Sequence, residues 1–157
     1  MIKAIFIAPQ HNSPQQSVKK INVIARKGII GDRNYDQHRW PGQNITLIEI
    51  ENINSFNYNY QQKVSIEDTR RNLITEGVLL NELVGQEFSI GSIKLLGTEL
   101  CEPCHSLSEN LASELVSKLQ ILEAFTNKAG IRARILSSGE ITTDMSITCS
   151  KLKQQND

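Results

Sequence analysis

The stretch Glu87-Phe88-Ser89-Ile90, Gly91-Ser92 and Ile93 to Leu100 constrains the fold more than any other part of the chain. Two β-prone runs flank a two-residue turn containing glycine, the pattern of a β-hairpin. Other strands read the same way: Ile2 to Ala8, Val18 to Ala25, Ile45 to Ile48, and Leu73 to Thr75. Ile131 to Leu136 alternates apolar and basic residues, which predicts a half-exposed strand with Arg132 and Arg134 on one face. Two short strand-like pieces follow Ser138-Gly139. Helical patterning is confined to Glu49 to Phe56, a turn or two in Val78 to Val84 ended by Gly85, and Ser106 to about Asn127. In the last of these, Leu111, Leu115, Leu119, Leu122 and Phe125 recur at helical spacing and Gly130 ends the segment. Many short strands with few helices, not in regular βα alternation, predict a mainly β fold with peripheral helices (α+β) and a β-barrel core.

The chain has 157 residues, and a single domain over residues 1–150 followed by a polar tail, 151–157, is expected. Lys plus Arg and Asp plus Glu are both 17, giving a formal net charge of zero. That balance argues against nucleic acid or an anionic membrane as partner, while leaving room for a local basic site. Met1 to Pro9 is apolar only briefly and reads as a first strand, not an export leader. No apolar run approaches the ~18 residues of a membrane span. A cytoplasmic, reducing setting is therefore expected, with Cys101, Cys104 and Cys149 as thiols.

The chemistry gathers in two places. Cys101-Glu102-Pro103-Cys104 precedes Ser106-Leu107-Ser108-Glu109, which fits a capping box with Ser106 as N-cap. A thiol at Cys104 would then face the positive end of a helix, with His105 beside it, and thiolate content sets cysteine reactivity. The string leaves four readings open. Structural zinc would need His105 and Cys149 as further ligands. Covalent haem would use the C-x-x-C-H string. A redox dithiol and a pair of unreactive buried thiols remain as well. About thirty residues upstream, Arg70-Arg71-Asn72 offers two guanidinium forks and an amide, suited to a phosphate or oxyanion. The plainer reading pairs these arginines with Glu67 and Asp68 on the surface. Arg132 and Arg134 could join the same positive site. In Gly31-Asp32-Arg33, Asp32 could anchor a loop and Arg33 could enter a site, while His38, Arg39 and Trp40 could form a lid.

Taken in order, these strings resemble the MOSC domain, named for the C-terminal domain of molybdenum-cofactor sulfurase. The resemblance is carried by Thr69 to Val78, Leu83 to Gly91 and Leu96 to Cys104, with Gly31-Asp32-Arg33 before them and Gly130 to Leu136 after. It spans about Gly28 to Ile147. It implies a β-barrel that handles the molybdenum cofactor, molybdopterin, a pterin with a phosphate and a molybdenum centre. On that resemblance Cys104 matches the cysteine that carries sulfur or ligates molybdenum. Arg70 and Asn72 match the family's R-x-N block, with Arg71, Arg132 and Arg33 as further cofactor-binding candidates. Asn34 and Gln43-Asn44 depart from the histidine and the Arg-Gln frequent at those places, Leu79 replaces a common aspartate, and Ser138 and Thr143 replace glycines. The function implied is sulfur transfer, or reduction of N-hydroxylated compounds. A cysteine desulfurase, a molybdoenzyme or an electron-donor protein would be the partner, since no pyridoxal-phosphate or redox module is visible. The alternatives are a non-catalytic cofactor-delivery module and a C-x-x-C thiol–disulfide protein without metal.

Overall fold

A computed structural model describes residues 1–37, 39, 44–103 and 105–150, the side chains of residues 105 and 106 excepted. In chain order the strands and helices are β1 (Ile2–Ile7), β2 (Gln16–Val18), β3 (Lys20–Ile24), β4 (Gly28–Ile29), β5 (Ile45–Glu49), α1 (Ile50–Tyr60), β6 (Leu73–Thr75), β7 (Glu87–Ile90), β8 (Ile93–Leu100), α2 (His105–Leu111), α3 (Lys118–Ala124), β9 (Ile131–Ile135), β10 (Gly139–Thr142) and β11 (Ile147–Thr148). Single 3-10 turns occupy Ile66–Thr69 and Leu80–Leu83. An eight-stranded sheet in the order β11-β7-β8-β9-β5-β6-β1-β2 curls into a half-barrel, and a three-stranded sheet, β10-β3-β4, accompanies it. The mainly β, α+β barrel expectation therefore holds.

The sheet has two apolar faces. On the inner face Ile5, Leu47, Leu73, Leu95, Ile131 and Ile135 pack with Ile21, Val23, Ile29 and Ile141 of the smaller sheet. On the outer face Phe6, Ile48, Ile74 and Cys101 pack with Ile53 and Phe56 of α1, Leu107 and Leu111 of α2, and Ile121 of α3. Phe56 and Phe125 meet with ring centroids 5.1 Å apart, joining α1 to the end of α3. Alternation along β9 reads directly as this arrangement, with Ile131, Ala133 and Ile135 inside and Arg132 and Arg134 half-exposed outside.

The predicted hairpin is present. Ile90 pairs with Ile93, and Gly91 has φ of 57°, the left-handed backbone that a two-residue loop demands. Two expectations are corrected. Val18 to Ala25 is not one strand: β2 pairs with β1, β3 pairs with β10, and Lys19 lies between the two sheets. Ser106 to Asn127 is not one helix either. The first helix begins at His105, so Ser106 is not its N-cap, and it ends at Leu111. Ser117 starts the second, with its hydroxyl accepting from Gln120 N–H and the Gln120 side chain accepting from Ser117 N–H. That S-x-x-Q capping box outweighs the leucine repeat. Consequently Leu115 and Leu119 are 81% and 65% exposed, and Val116 takes the buried place. The polar tail and the lid residues His38 and Trp40 lie outside the described residues; Arg39 is exposed.

Gly130, just before β9, lies against the β5 backbone at Leu47. Its φ is 91°, and a Cβ there would lie 1.9 Å from the Leu47 carbonyl oxygen. Neither the backbone angle nor the clash can relax without separating the strands. Gly130→Ala is therefore expected to cost about 3 kcal/mol or more, read as a Tm drop on the order of 10 °C in thermal denaturation.

Candidate functional site

One rung of side chains crosses five strands on the outer face. Glu99 on β8 pairs with Arg132 on β9, and Arg132 pairs with Thr46 on β5. Asn72, just before β6, is joined to Thr46, and Phe6 on β1 donates its N–H to the Asn72 carbonyl. The rung owes its polar end to a β-bulge. Between Gly97 and Glu99 the β8–β9 register shifts by one residue. A regular strand would turn Glu99 and Cys101 inward, because one residue of slip exchanges the faces. With the bulge, Leu100 packs on the inner core while Cys101 joins the outer layer and Glu99 meets Arg132.

Asn72 is fully buried and satisfied by protein. Its Oδ1 accepts from Thr46 N–H and Thr46 Oγ1–H, both at 3.1 Å, and its Nδ2 donates to the Phe6 carbonyl at 3.1 Å. Its own N–H donates to Thr46 Oγ1 at 3.0 Å. Asn72 thus pins three strands and fixes where the preceding arginines leave the sheet. Thr46, which pattern reading assigns only to a strand, is its partner.

Arg70 caps the 3-10 turn Ile66–Thr69 in a left-handed conformation, φ 56°. Ser65 and Asp68 close a capping box on that turn, so Asp68 serves the backbone and not the arginines. Among the described residues neither Arg70 nor Arg71 has a carboxylate partner. Arg70 Nη2 donates to the His11 carbonyl at 3.0 Å, and Arg71 Nε donates to the Ala129 carbonyl at 3.0 Å. Each guanidinium carries five N–H donors, so each half-exposed side chain has donors to spare.

Arg33 differs. Its side chain is 10% exposed, and both Nη atoms are bonded to protein: to Gln15 Oε1 at 3.2 Å, Asp32 Oδ1 at 3.4 Å and the Arg70 carbonyl at 2.9 Å. Burial lowers its pKa from the ordinary guanidinium value, Arg70 and Arg71 push the same way, and Asp32 opposes them. Asp32 is the loop anchor its sequence position suggests, accepting from the N–H groups of Ala8 and Asn34. Arg132 pairs with Glu99 at 3.3 Å, with side chains 36% and 48% exposed. A pair this exposed contributes little and leaves Arg132 adjustable.

Cys104 lies outside the described residues. The chain on either side of it does not. Cys101 N–H donates to the Gly130 carbonyl at 2.8 Å, next to the Ala129 carbonyl that receives Arg71. Helix α2 packs against the 3-10 turn that ends in Arg70. The structure therefore brings Arg33, Arg70, Arg71, Asn72 and Arg132 to the margin of one layer, where the C-E-P-C segment leaves β8. Cys149 is elsewhere. It belongs to the inner core and its thiol donates to the Glu87 carbonyl at 3.4 Å, so the sheet separates it from Cys101 and it cannot complete a zinc site there. Cys101 is 1% exposed within the apolar layer, which withdraws it from exchange with a soluble thiol.

The MOSC domain profile matches residues 34–148. Among solved structures, YuaD from Bacillus subtilis superposes with a TM-score of 0.79 at 17% identity, covering 93% of this chain and 92% of that one. YiiM from Geobacillus stearothermophilus gives 0.68 at 15% identity, covering 95% and 74%. YiiM from Escherichia coli gives 0.67 at 15% identity, covering 95% and 70%. At such identities these likenesses establish the fold. No curated protein sequence matches significantly. Among the described residues no helix is long and apolar enough to cross a membrane.

Two substitutions separate bracing from binding. Asn72→Ala strands Thr46 N–H and the Phe6 carbonyl, and should cost about 3 kcal/mol in chemical denaturation, with Asn72→Asp at least as damaging near neutral pH because a buried carboxylate oxygen would face the Phe6 carbonyl. Arg70→Gly relaxes the left-handed backbone while removing the guanidinium. It should leave Tm within a few degrees of wild type; if this margin takes an oxyanion, inorganic phosphate in an NMR titration should weaken by about tenfold, the loss of one charge-assisted hydrogen bond.

Proposed function

The chain belongs to the MOSC domain family, and from that premise we propose that it binds the molybdenum cofactor at the Arg70–Arg71 margin, with Cys104 as sulfur carrier or molybdenum ligand. The observation that supports this most is the tether at Ala129–Gly130. Consecutive carbonyls there receive the Arg71 guanidinium and the Cys101 N–H, so the guanidinium pair and the start of the C-E-P-C segment share one rim.

The donor set fits a ligand with a phosphate at one end and a thiophilic metal centre at the other. Arg70 and Arg71 would hold the phosphate through spare N–H groups, and forked donors suit it better than point charges. Arg132 would add charge along the rung, and its loose pairing with Glu99 lets it turn toward an anion. Asn72 would act through the backbone it fixes, since its side chain is already occupied by Thr46 and Phe6. A thiolate at Cys104 could ligate the metal or carry sulfur as a persulfide. When bound, the cofactor would supply the metal-centred redox chemistry or accept the transferred sulfur. The burial of Cys101 leaves Cys104 as the cysteine of the pair assigned the sulfur or metal role. In the cytoplasm, a cysteine desulfurase or an electron-donor protein would complete the reaction.

The test is elemental mass spectrometry for molybdenum, with fluorescence of the oxidised pterin, on protein purified from a host that makes the cofactor. Near-stoichiometric molybdenum and pterin are expected in wild type. Cys104→Ser should lose molybdenum and keep pterin, whereas Arg71→Ala should lose both. Wild-type protein free of molybdenum and pterin, even after incubation with released cofactor, would overturn the proposal.

A further inference from the structure

Arg33, Gln15, Arg70 and Arg71 form a closed ring of hydrogen bonds. Arg33 Nη2 donates to the Arg70 carbonyl at 2.9 Å, and Arg33 Nη1 donates to Gln15 Oε1 at 3.2 Å. Gln15 Nε2 then donates to the Arg71 carbonyl at 3.2 Å. Both carbonyls of the Arg70-Arg71 pair are thus held from beneath by one guanidinium and one amide, neither of which is a neighbour in sequence. The base of the ring is fixed too. Arg33 N–H donates to the Ala8 carbonyl at 2.7 Å, and Asp32 Oδ1 accepts from Ala8 N–H at 3.0 Å. On the far side, Arg70 Nη2 returns to the His11 carbonyl in the β1–β2 connection.

We infer that Arg33 and Gln15 are positioning residues: together they set the direction of Arg70 and Arg71 toward an oxyanion and do not contact it themselves. This rests on the reading of that margin as the phosphate-binding end of the cofactor site. Three observations support it. Arg33 is nearly buried and gives both Nη atoms to protein acceptors, while Arg70 and Arg71 are half-exposed with donors in reserve. Arg70 holds a left-handed backbone, a conformation that persists where its surroundings impose it, and its carbonyl is the atom Arg33 grips. Gln15 is neutral, so any effect it has on anion affinity must run through geometry and not through charge. The ring also needs a planar fork. A lysine keeps the charge at residue 33 but cannot reach Gln15 and the Arg70 carbonyl together.

The experiment is a double-mutant cycle on the full chain: wild type, Arg33→Lys, Gln15→Met and the double variant. Binding of inorganic phosphate is followed by NMR, with Tm and amide protection around Asn72 recorded on the ligand-free protein. Each single change should weaken phosphate about tenfold at a temperature where all four proteins are folded, and the double change should be no worse than either single. Amide protection around Asn72 should fall in both singles, because the ring no longer clamps the segment. A fold defect alone would lower Tm without this matched loss of affinity, and would overturn the inference. So would Arg33→Lys within about twofold of wild type with Gln15→Met unchanged, or additive losses, since those describe an Arg33 that touches the anion directly. If wild type binds neither phosphate nor the pterin, the functional reading falls and this inference with it. If wild type binds and the cycle is additive, this inference alone falls.

Discussion

The amide of Asn72 is the interaction on which the site depends. It joins β1, β5 and β6 by accepting twice from Thr46 and donating to Phe6. The β5–β6 pair is parallel, with Leu47 beside Leu73, so no tight turn holds its register. A buried polar side chain that satisfies two strands specifies that register, because any slip would leave its donors and acceptors without partners. The same bonds fix the end from which Arg70 and Arg71 depart. Stability and the geometry of the arginine margin therefore share one residue, and a change there disturbs both.

How much of this was visible in the sequence depends on how local the cause is. The Glu87–Leu100 hairpin was legible because its turn and both strands lie within one short stretch, and Ile131–Ile135 because strict alternation states which face is buried. The split of Ser106–Asn127 was also local, since Ser117 and Gln120 spell a capping box, but the leucines at 111, 115 and 119 were read first. Periodicity proposes a face, whereas a cap fixes a start, and the cap prevailed. The break at Lys19 was not legible, since only pairing with two different strands shows that the chain changes sheets.

At the site, residue types were legible and roles were not. Arg33, Arg70, Arg71, Asn72 and Arg132 do come to one margin, although no pattern distinguishes a buried, fully engaged guanidinium from one with donors to spare. Arg33 is separated by over thirty residues from the carbonyl it grips, and Gln15 by more than fifty from its own. Such long-range bonds leave no trace in a run of neighbours. The bulge in β8 did leave a local sign, the glycine inside the strand at Gly97, which the hairpin reading passed over.

A chain with no net charge can hold a strongly positive spot only if its arginines are kept together against their own repulsion. Here the burial of Arg33 beside Asp32 places one cation next to two others, and the carbonyls of Arg70, His11 and Ala129 accept hydrogen bonds from the three guanidiniums. Backbone carbonyls stabilise guanidiniums without cancelling their charge, as carboxylates would, so the potential at the rim survives. At physiological salt that potential reaches only about 8 Å, which suits capture of a small anion and not attraction of a polymer. The adjoining thiol segment is held by peptide hydrogen bonds at Gly130, where no side chain fits. Peptide hydrogen bonding on one side and a clamped arginine pair on the other thus fix the two flanks of this margin through main-chain atoms, so its shape follows from the sheet and not from the charges it carries.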